Sequence, residues 1–468
     1  MSLRPQRLSL LVGAALFGAA ALFWLLFLPR AEESVFGRVP YLDEVIYLDR
    51  AADIRDGRAA GEPHFMAPLY PHLVAAAAAP AATAGGDVIP PADLRGLRLL
   101  QVGCWFGTLA LLAVGGRLLA RDFAATPGRL VATWLPALLF LLYRPAAIFA
   151  TAVLGETVLT FLVTLAVVLT LRVVGSRAMP PALSLAQAAL AGLALGAAAL
   201  VRGTALLAVP ALTAAFLWGP EVDSGSPRPR RRAWAAPLVL VATCVLAILP
   251  AALHNTRLVG RPAGPTLNAG LNLYIGNGPG ANGFYVQVLP GDLREDPAGL
   301  AYLGAHAGHP VDLGEADRLW RERALEAMGA APGRSFGLAL KKVWLQLQNW
   351  EIDQMAGQGP WRAEVPLLAV ACVPYGLLSS LGLVGLALGW RQRPVRILAA
   401  VLLLLVAGQS LFFVVARYRQ VLVPLWALAA GVGAASLRGR PRVAAPLWLA
   451  AIALVIPWGQ GAVRAQTT

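Results

Sequence analysis

Two adjacent acids, Asp43 and Glu44, lie in the stretch VPYLDEVIYLDRAADI, in a chain that is otherwise mostly apolar. A carboxylate beside a reacting hydroxyl can act as a general base, and a neighbouring acid can tune its pKa or help to hold a cation. Acids are also favourable at the start of a helix, because its N-terminus carries a partial positive charge. The residues alone leave both interpretations open, and the catalytic one places the chemistry in the loop 29–98.

A third acid, Glu156, stands in LGETVLTF at the start of an apolar run. A carboxylate at membrane depth is costly unless it is paired or hydrated, so Glu156 is a functional candidate, with a first-turn helix acid as the alternative. Four arginines are predicted at helix ends outside the cytoplasm: Arg98, Arg202, Arg417 and Arg419. Guanidinium groups bind phosphate through paired hydrogen bonds, which suits a lipid phosphate. Snorkelling towards the headgroups is the alternative for each arginine.

Asp43, Glu44 and Glu156 could share a divalent cation, although no spacing rule requires one. The five histidines lack zinc-ligand spacing such as H-E-x-x-H, and the three cysteines lie far apart in apolar runs. The sequence therefore predicts neither a zinc site nor a disulfide framework. It contains no P-loop, no G-x-S-x-G and no Rossmann fingerprint.

The composition indicates that most of the chain is surrounded by lipid and not by water. The chain of 468 residues is 58% hydrophobic and 14% charged, with a mean hydropathy of +0.64, whereas a soluble protein carries about 25% charged residues. Repeated apolar runs of about 20 residues predict an all-α polytopic membrane protein. The net charge of +14 comes from clusters between these runs, which indicates membrane topology and not a nucleic-acid partner.

The apolar runs predict about eleven spans. They are 8–28, 99–119, 130–150, 152–171, 183–200, 205–217, 234–253, 367–390, 397–415, 421–437 and 443–458. The run 69–82 is too short to cross and is predicted to be interfacial or re-entrant. From a cytoplasmic N-terminus, alternation puts every basic cluster on the cytoplasmic side, as the positive-inside rule requires. These clusters are Arg117, Arg121 and Arg129; Arg172 and Arg177; Arg228 and Arg230 to Arg232; Arg391, Arg393 and Arg396; and Arg438, Arg440 and Arg442.

Three parts follow from this pattern: a transmembrane module 1–253 that contains the loop 29–98, a small mixed extracytoplasmic cap 254–362, and C-terminal transmembrane helices 363–468. The Gly, Asn and Pro residues of 268–285 favour turns and irregular backbone. The stretch 316–328 predicts an amphipathic helix with Leu319, Trp320, Leu325 and Met328 on its apolar face.

Seven motifs occur along the chain in a recognisable order: YLDEVIYLDRAADI, APLYP, RLLQ, ALVRGTALLAVPAL, PAALHNTRLVGRP, NAGLNLYIGNGPGANGFY and RYRQVLVPL. Together they resemble the GT-C glycosyltransferases, and in particular glycosyltransferase family 39, the branch of protein O-mannosyltransferases and lipid A aminoarabinose transferases. The resemblance covers nearly the whole chain. No single motif is specific, and it is their order that carries the likeness.

The resemblance implies a GT-C fold and transfer of one sugar, with inversion, from a polyprenyl-phosphate donor to a lipid, glycan or protein acceptor outside the cytoplasm. In the family an acid of the first outer loop acts on the acceptor, which corresponds to Asp43 and Glu44. Arg98 matches an arginine near the lipid phosphate, and Arg417 and Arg419 lie in a motif of similar expected role. Tyr70, in APLYP, and Asn277, in the glycine-rich motif, are further candidates.

One departure limits the resemblance. Aminoarabinose transferases carry a lysine at the start of a K-P-P-L-Y-like segment, where this chain has Met66 followed by APLY. The donor phosphate must then be held by arginines or by His64, and an aminoarabinose transferase is disfavoured. No cofactor is required beyond the open question of a divalent cation. The predicted location is the bacterial inner membrane.

Two alternative functions remain. A transporter or flippase of lipid-linked sugars would place ionisable groups near the bilayer midplane, in repeated halves. A polysaccharide polymerase or ligase would share the polytopic fold and the outer arginines. The position of the charges at span ends and the acidic pair in the first outer loop favour the glycosyltransferase over both.

Overall fold

The protein is described by a computed structural model that covers residues 5–83, 88–123, 126–176, 179–217, 234–289, 296–352, 358–439 and 441–456. The helices of these residues are α1 Pro5–Glu33, α2 Val35–Arg38, α3 Asp43–Arg55, α4 Leu69–Ala77, α5 Pro91–Leu119, α6 Thr126–Leu142, α7 Pro145–Phe149, α8 Glu156–Val174, α9 Pro181–Ala199, α10 Ala208–Leu217, α11 Ala235–Val259, α12 Ala269–Asn277, α13 Leu300–Ala307, α14 Leu313–Ala330, α15 Pro332–Leu347, α16 Gln358–Glu364, α17 Tyr375–Leu388, α18 Arg393–Gln409, α19 Ala416–Arg419, α20 Val423–Gly439 and α21 Pro441–Val455. Short 3₁₀ turns join several of them, and none of the described residues forms a β-strand. Of the predicted basic clusters, Arg177, Arg228, Arg230 to Arg232 and Arg440 lie outside the described residues.

Among the described residues, six helices are long and apolar enough to cross a membrane: α1, α5, α8, α9, α11 and the segment formed by α19 and α20. Four shorter apolar helices, α6, α10 with its preceding 3₁₀ turn, α17 and α21, correspond to further predicted spans. The predicted span 397–415 corresponds to α18, which ends at Gln409 and is followed by non-helical backbone. The chain is therefore a multi-pass helical membrane protein.

The outer surface of the bundle has the apolar character that a lipid environment requires. Leu10 and Leu25 of α1 are each 73% exposed, and Leu246 of α11 is 61% exposed. Water would disfavour so many exposed leucines on helices this long, whereas the hydrocarbon core of a bilayer accommodates them.

Small residues allow the membrane helices to pack closely. A Cβ atom on Gly192 of α9 would lie 2.1 Å from the carbonyl oxygen of Leu240 in α11, and one on Gly196 would lie 2.7 Å from that of Cys244. The two helices thus touch through their backbones along one stripe. Lipid tails supply no hydrophobic drive for helix association, so this close van der Waals contact holds α9 and α11 together.

The predicted re-entrant run 69–82 contains α4, which at nine residues is too short to cross a membrane. The amide of Leu69 donates to the carbonyl of Leu200 at 2.9 Å. This contact ties the start of α4 to the end of α9, close to Arg202.

The segment 254–362, which was predicted to form a mixed cap, is helical in its described part. The stretch 268–285 was expected to be turns, yet α12 occupies its first half. A Cβ on Gly270 would lie 1.9 Å from the carbonyl oxygen of Asp317 in α14. That glycine therefore serves close helix packing, and only the turn after Asn277 follows the prediction.

Helix α14 contains the predicted amphipathic helix 316–328, but its buried face is narrower than expected. Trp320 is buried, whereas Leu325 is 55% exposed. Trp320 belongs to a buried apolar cluster that includes Leu271 of α12 and Phe413 and Val415 of the segment that follows α18. Helices α12 and α14 thus pack against the stretch that precedes Arg417 in the sequence.

Candidate active site

A cavity of about 810 Å³ lies between the stretch 42–67, helices α12 and α14, and the segment after α18. Asp43, Arg202 and Arg417 all line it, and so does Tyr418. Three separate parts of the chain therefore bring this acid and these two guanidinium groups to the same space. The cavity volume is in the range of small-molecule sites, which measure about 300–1,000 Å³.

Two acids and two arginines alternate beside this cavity. Arg417 Nη1 lies 2.6 Å from Asp43 Oδ2 and 3.9 Å from Glu156 Oε1. Arg202 Nη2 lies 2.6 Å from Glu156 Oε1. Glu156 is buried behind the other three, so it reaches the cavity only through the arginines that it contacts.

Tyr418 completes the arrangement and was not among the predicted site residues. The guanidinium of Arg202 lies 3.8 Å from the centre of its ring, and that of Arg417 lies 5.0 Å from the same ring. An aromatic face attracts cations, which fixes the two arginines next to each other despite their like charge. The signal in the sequence is its place between two arginines in RYR.

Local backbone geometry sets the position of Asp43. The residue begins α3, and the preceding Leu42 adopts φ 53° and ψ −126°, a left-handed backbone that favours glycine. Such a conformation costs about 1–3 kcal/mol and persists only where the surroundings impose it. The strained residue and the acid are neighbours on the cavity wall.

Glu44 points away from the cavity. Its Oε1 accepts a hydrogen bond from the Val153 amide at 2.7 Å, and its Oε2 accepts one from the Tyr41 amide at 3.3 Å. Burial raises the pKa of Glu44 to about 7, although these amides and Arg98 act in the opposite direction. The two acids of the predicted pair thus face different environments, and Asp43 alone lines the cavity.

Arg98 does not line the cavity either. Its Nε donates to the carbonyl of Thr151 at 3.1 Å, its Nη2 donates to that of Gly37, and its Nη1 lies 3.9 Å from Glu32. The side chain is 2% exposed. Arg98 therefore joins α5 to the end of α1 and to the loop before α8, and Glu32 is a buried acid that the sequence analysis missed.

Arg419 differs from Arg417 although the two are separated by one residue. It is fully buried and donates to the carbonyls of Gln348 and Trp350 at 2.8 and 2.7 Å and to Glu351 at 2.7 Å. Residues two apart on a helix point to opposite sides. Arg417 faces the cavity, and Arg419 anchors the chain that follows α15.

The remaining predicted residues lie outside the cavity lining. Tyr70 is buried, and its hydroxyl donates to Gln101 at 3.1 Å. Asn277 accepts from the Lys342 ammonium at 2.8 Å and donates to the Leu411 carbonyl at 2.7 Å. Burial lowers the pKa of His64 to about 4, so its imidazole is neutral at pH 7 and supplies no charge to a phosphate.

The three acids that could have shared a cation do not converge on one point. Asp43 is bound by Arg417, Glu156 by Arg202, and Glu44 by backbone amides. The described residues contain no group of three histidine, cysteine or acidic side chains suited to a metal ion. These donors therefore do not fit a divalent cation held by the predicted set.

Among the comparisons with known proteins, only the comparison of structures found matches to this chain. No family model and no curated protein matches the sequence. The oligosaccharyltransferase of Archaeoglobus fulgidus in the apo form matches with a TM-score of 0.50 and 11% identity, over 93% of this chain and 51% of that one. The same protein in complex with an inhibitory peptide and a dolichol-phosphate gives 0.49 and 12%, over 94% and 52%.

A third structure of the Archaeoglobus protein, in complex with Zn and sulfate, gives a TM-score of 0.49 and 13% identity, over 94% of this chain and 51% of that one. The chain spans about half the length of the solved structures that it matches. At this identity the likeness concerns the arrangement of the helices. The chain therefore shares the helical membrane fold of the Archaeoglobus oligosaccharyltransferase.

Proposed function

We propose that the chain is a membrane glycosyltransferase that moves one sugar, with inversion, from a polyprenyl-phosphate donor to an acceptor hydroxyl outside the cytoplasm. The observation that carries this proposal is that Asp43, Arg202 and Arg417 line a single cavity. One base and two cations are what the reaction requires: a group that removes the acceptor proton, and charges that stabilise a departing phosphate.

In this reaction the acceptor oxygen bonds to the anomeric carbon while the bond from that carbon to the phosphate oxygen breaks. Asp43 takes the hydroxyl proton, and the electron pair of the broken bond leaves with the lipid phosphate. Attack from the face opposite the phosphate inverts the anomeric carbon. Arg202 and Arg417 offer guanidinium groups to the phosphate as its negative charge grows.

The ion pair of Arg417 with Asp43 implies that the donor binds before the acceptor loses its proton. Arg417 Nη1 holds Asp43 Oδ2 at 2.6 Å, so this oxygen must leave the pair before it can take the proton of the acceptor hydroxyl. A bound donor phosphate competes for the same guanidinium. Arg417 then turns from Asp43 to the phosphate, and donor binding makes the base available to the acceptor.

The wall of the cavity supports a lipid-linked donor. Leu206 and Leu207, before α10, and Leu411 and Phe412, after α18, line it together with the arginines. Apolar side chains next to paired guanidinium groups suit a molecule with an isoprenoid chain and a phosphate head. Such a donor would enter from the membrane, where α10 and α18 lie.

The test is transfer from a polyprenyl-phosphate sugar by the purified protein in detergent. Asp43→Asn should abolish transfer while leaving insertion and the melting temperature close to those of the wild type. Asp56→Asn is the matched control, because Asp56 is an exposed acid at the other end of α3 and lies outside the cavity. Persistent transfer by Asp43→Asn contradicts the proposal. So does a wild-type protein that moves the lipid-linked sugar across a bilayer without transferring it.

A further inference from the structure

The cap side of the cavity carries a second group of arginines. Arg261 follows α11, and Arg318 and Arg321 lie on α14, and all three line the cavity. Together with Arg202 and Arg417 this makes five arginines against two aspartates among the described lining residues. Two arginines beside Asp43 already serve a donor phosphate, so the other three indicate a second anionic group in the same cavity.

Two of these arginines, Arg261 and Arg318, have exposed partners that a ligand can replace. Arg261 lies 2.5 Å from Asp312, and Arg318 lies 2.8 Å from Glu322, with all four side chains 41 to 57% exposed. Exposed ion pairs of this kind contribute little to stability, so exchanging one carboxylate for another anion costs little. A guanidinium also carries five N–H donors, and the buried Nε of Arg261 has no hydrogen-bond partner.

The element that presents them is held firmly. Asp317 is buried between Arg321 and the backbone of α12: its Oδ1 accepts from the Gly270 amide at 2.6 Å, and its Oδ2 binds Arg321. Trp320 donates its indole N–H to the Ala298 carbonyl at 2.9 Å. Helix α14 is thus fixed on both sides, and the arginines need little ordering when they bind a ligand.

We propose that Arg261, Arg318 and Arg321 form an acceptor subsite that binds an acidic saccharide, one with a phosphate or carboxylate near the hydroxyl that Asp43 deprotonates. The assignment of this ligand as the acceptor rests on the proposed function. Asn268 and Asn272 line the same wall, and carboxamides both donate to and accept from sugar hydroxyls. Guanidinium forks match either anion, and the probes below distinguish phosphate from carboxylate.

The experiment measures binding to the full-length protein in detergent by isothermal titration calorimetry. The probes are glucose 6-phosphate, a disaccharide that contains glucuronic acid, neutral maltose, an acidic hexapeptide, and a polyprenyl phosphate. We expect at least one acidic saccharide to bind, and the Arg318→Gln/Arg321→Gln variant to bind it about tenfold or more weakly. The polyprenyl phosphate should bind both proteins equally.

Arg257→Gln is the matched control, since Arg257 is an exposed arginine near the end of α11 and is not part of the cavity wall. Four results would each overturn the subsite. The wild type could bind maltose and the acidic saccharides equally, bind only the peptide, or bind no acidic saccharide, and the double variant could keep the affinity of the wild type. A wild type that binds an acidic saccharide but no polyprenyl phosphate would instead contradict the proposed donor, and it would leave the anion subsite supported.

Discussion

Glu156 is the residue whose role depends most on its partners. It is 2% exposed and contacts both Arg202 and Arg417, yet it does not line the cavity. A buried carboxylate between two guanidinium groups lowers their mutual repulsion and fixes their direction. We therefore regard Glu156 as a positioning residue for the phosphate-binding arginines.

Glu156→Gln should lower kcat/KM for sugar transfer by about a hundredfold, because displaced arginines no longer meet the departing phosphate. Glu156→Asp keeps the charge and should recover part of this loss. Steady-state transfer kinetics and thermal unfolding of both variants check the prediction, with Glu62→Gln, an exposed acid outside the cavity, as the control. A Glu156→Gln enzyme that folds and has wild-type kcat/KM would refute this role.

At the scale of elements, Glu44 connects helix α3 to the loop before α8. The carboxylate accepts from the Val153 amide across the interface and from the Tyr41 amide at the start of its own helix. Since Asp43 directly precedes Glu44, this contact orients the proposed base as well. Glu44 thereby explains why two adjacent acids are useful although only one of them faces the cavity.

Burial of Glu44 makes the stability of this connection depend on pH. Its pKa is raised from 4.5 to about 7 in the folded protein. The contribution of Glu44 to the free energy of unfolding is therefore fully present below pH 4.5, and it is lost as the pH rises through 7. The total change is about 3 kcal/mol. Thermal unfolding of the wild type between pH 5 and pH 8 should therefore show a fall in stability that Glu44→Gln lacks. Parallel pH profiles for the two proteins would exclude Glu44 as the source.

At the scale of the whole molecule, the cap and the catalytic loop must lie on one side of the membrane for the cavity to exist. Helices α12 and α14 pack on the segment 413–415, directly before Arg417. Positive-inside alternation assigns this side to the outside of the cytoplasm. The proposed orientation therefore places the whole reaction away from cytoplasmic nucleotides, as a lipid-linked donor allows.

Cysteine labelling checks this orientation. In a background without the three native cysteines, Gly329→Cys, at an open and exposed position of α14, should react with a membrane-impermeant maleimide from outside intact cells. Arg391→Cys, exposed between α17 and α18, should react only after the membrane is opened. The reverse pattern would invert the topology and place the cavity in the cytoplasm.

Much of the fold was predictable because a bilayer constrains a chain severely. Helices must satisfy their own backbone hydrogen bonds and expose apolar side chains, so apolar length alone located α1, α5, α8, α9 and α11. The predicted topology followed from the positions of the basic residues along the chain, without knowledge of any tertiary contact. The sequence failed at 268–285, where glycines were interpreted as turns, because only the neighbouring α14 shows that Gly270 permits a helix to pack against it.

The sequence by itself determined that the protein is a helical membrane protein and that Asp43 and a set of outer arginines were candidates for chemistry. Only the tertiary structure separated Asp43 from Glu44 and Arg417 from Arg419, and only it added Tyr418 and the cap arginines to the cavity. The physical reason is that composition and hydropathy report on the solvent around a residue. The direction of a buried charge is set instead by the partners that satisfy it, which here come from distant parts of the chain.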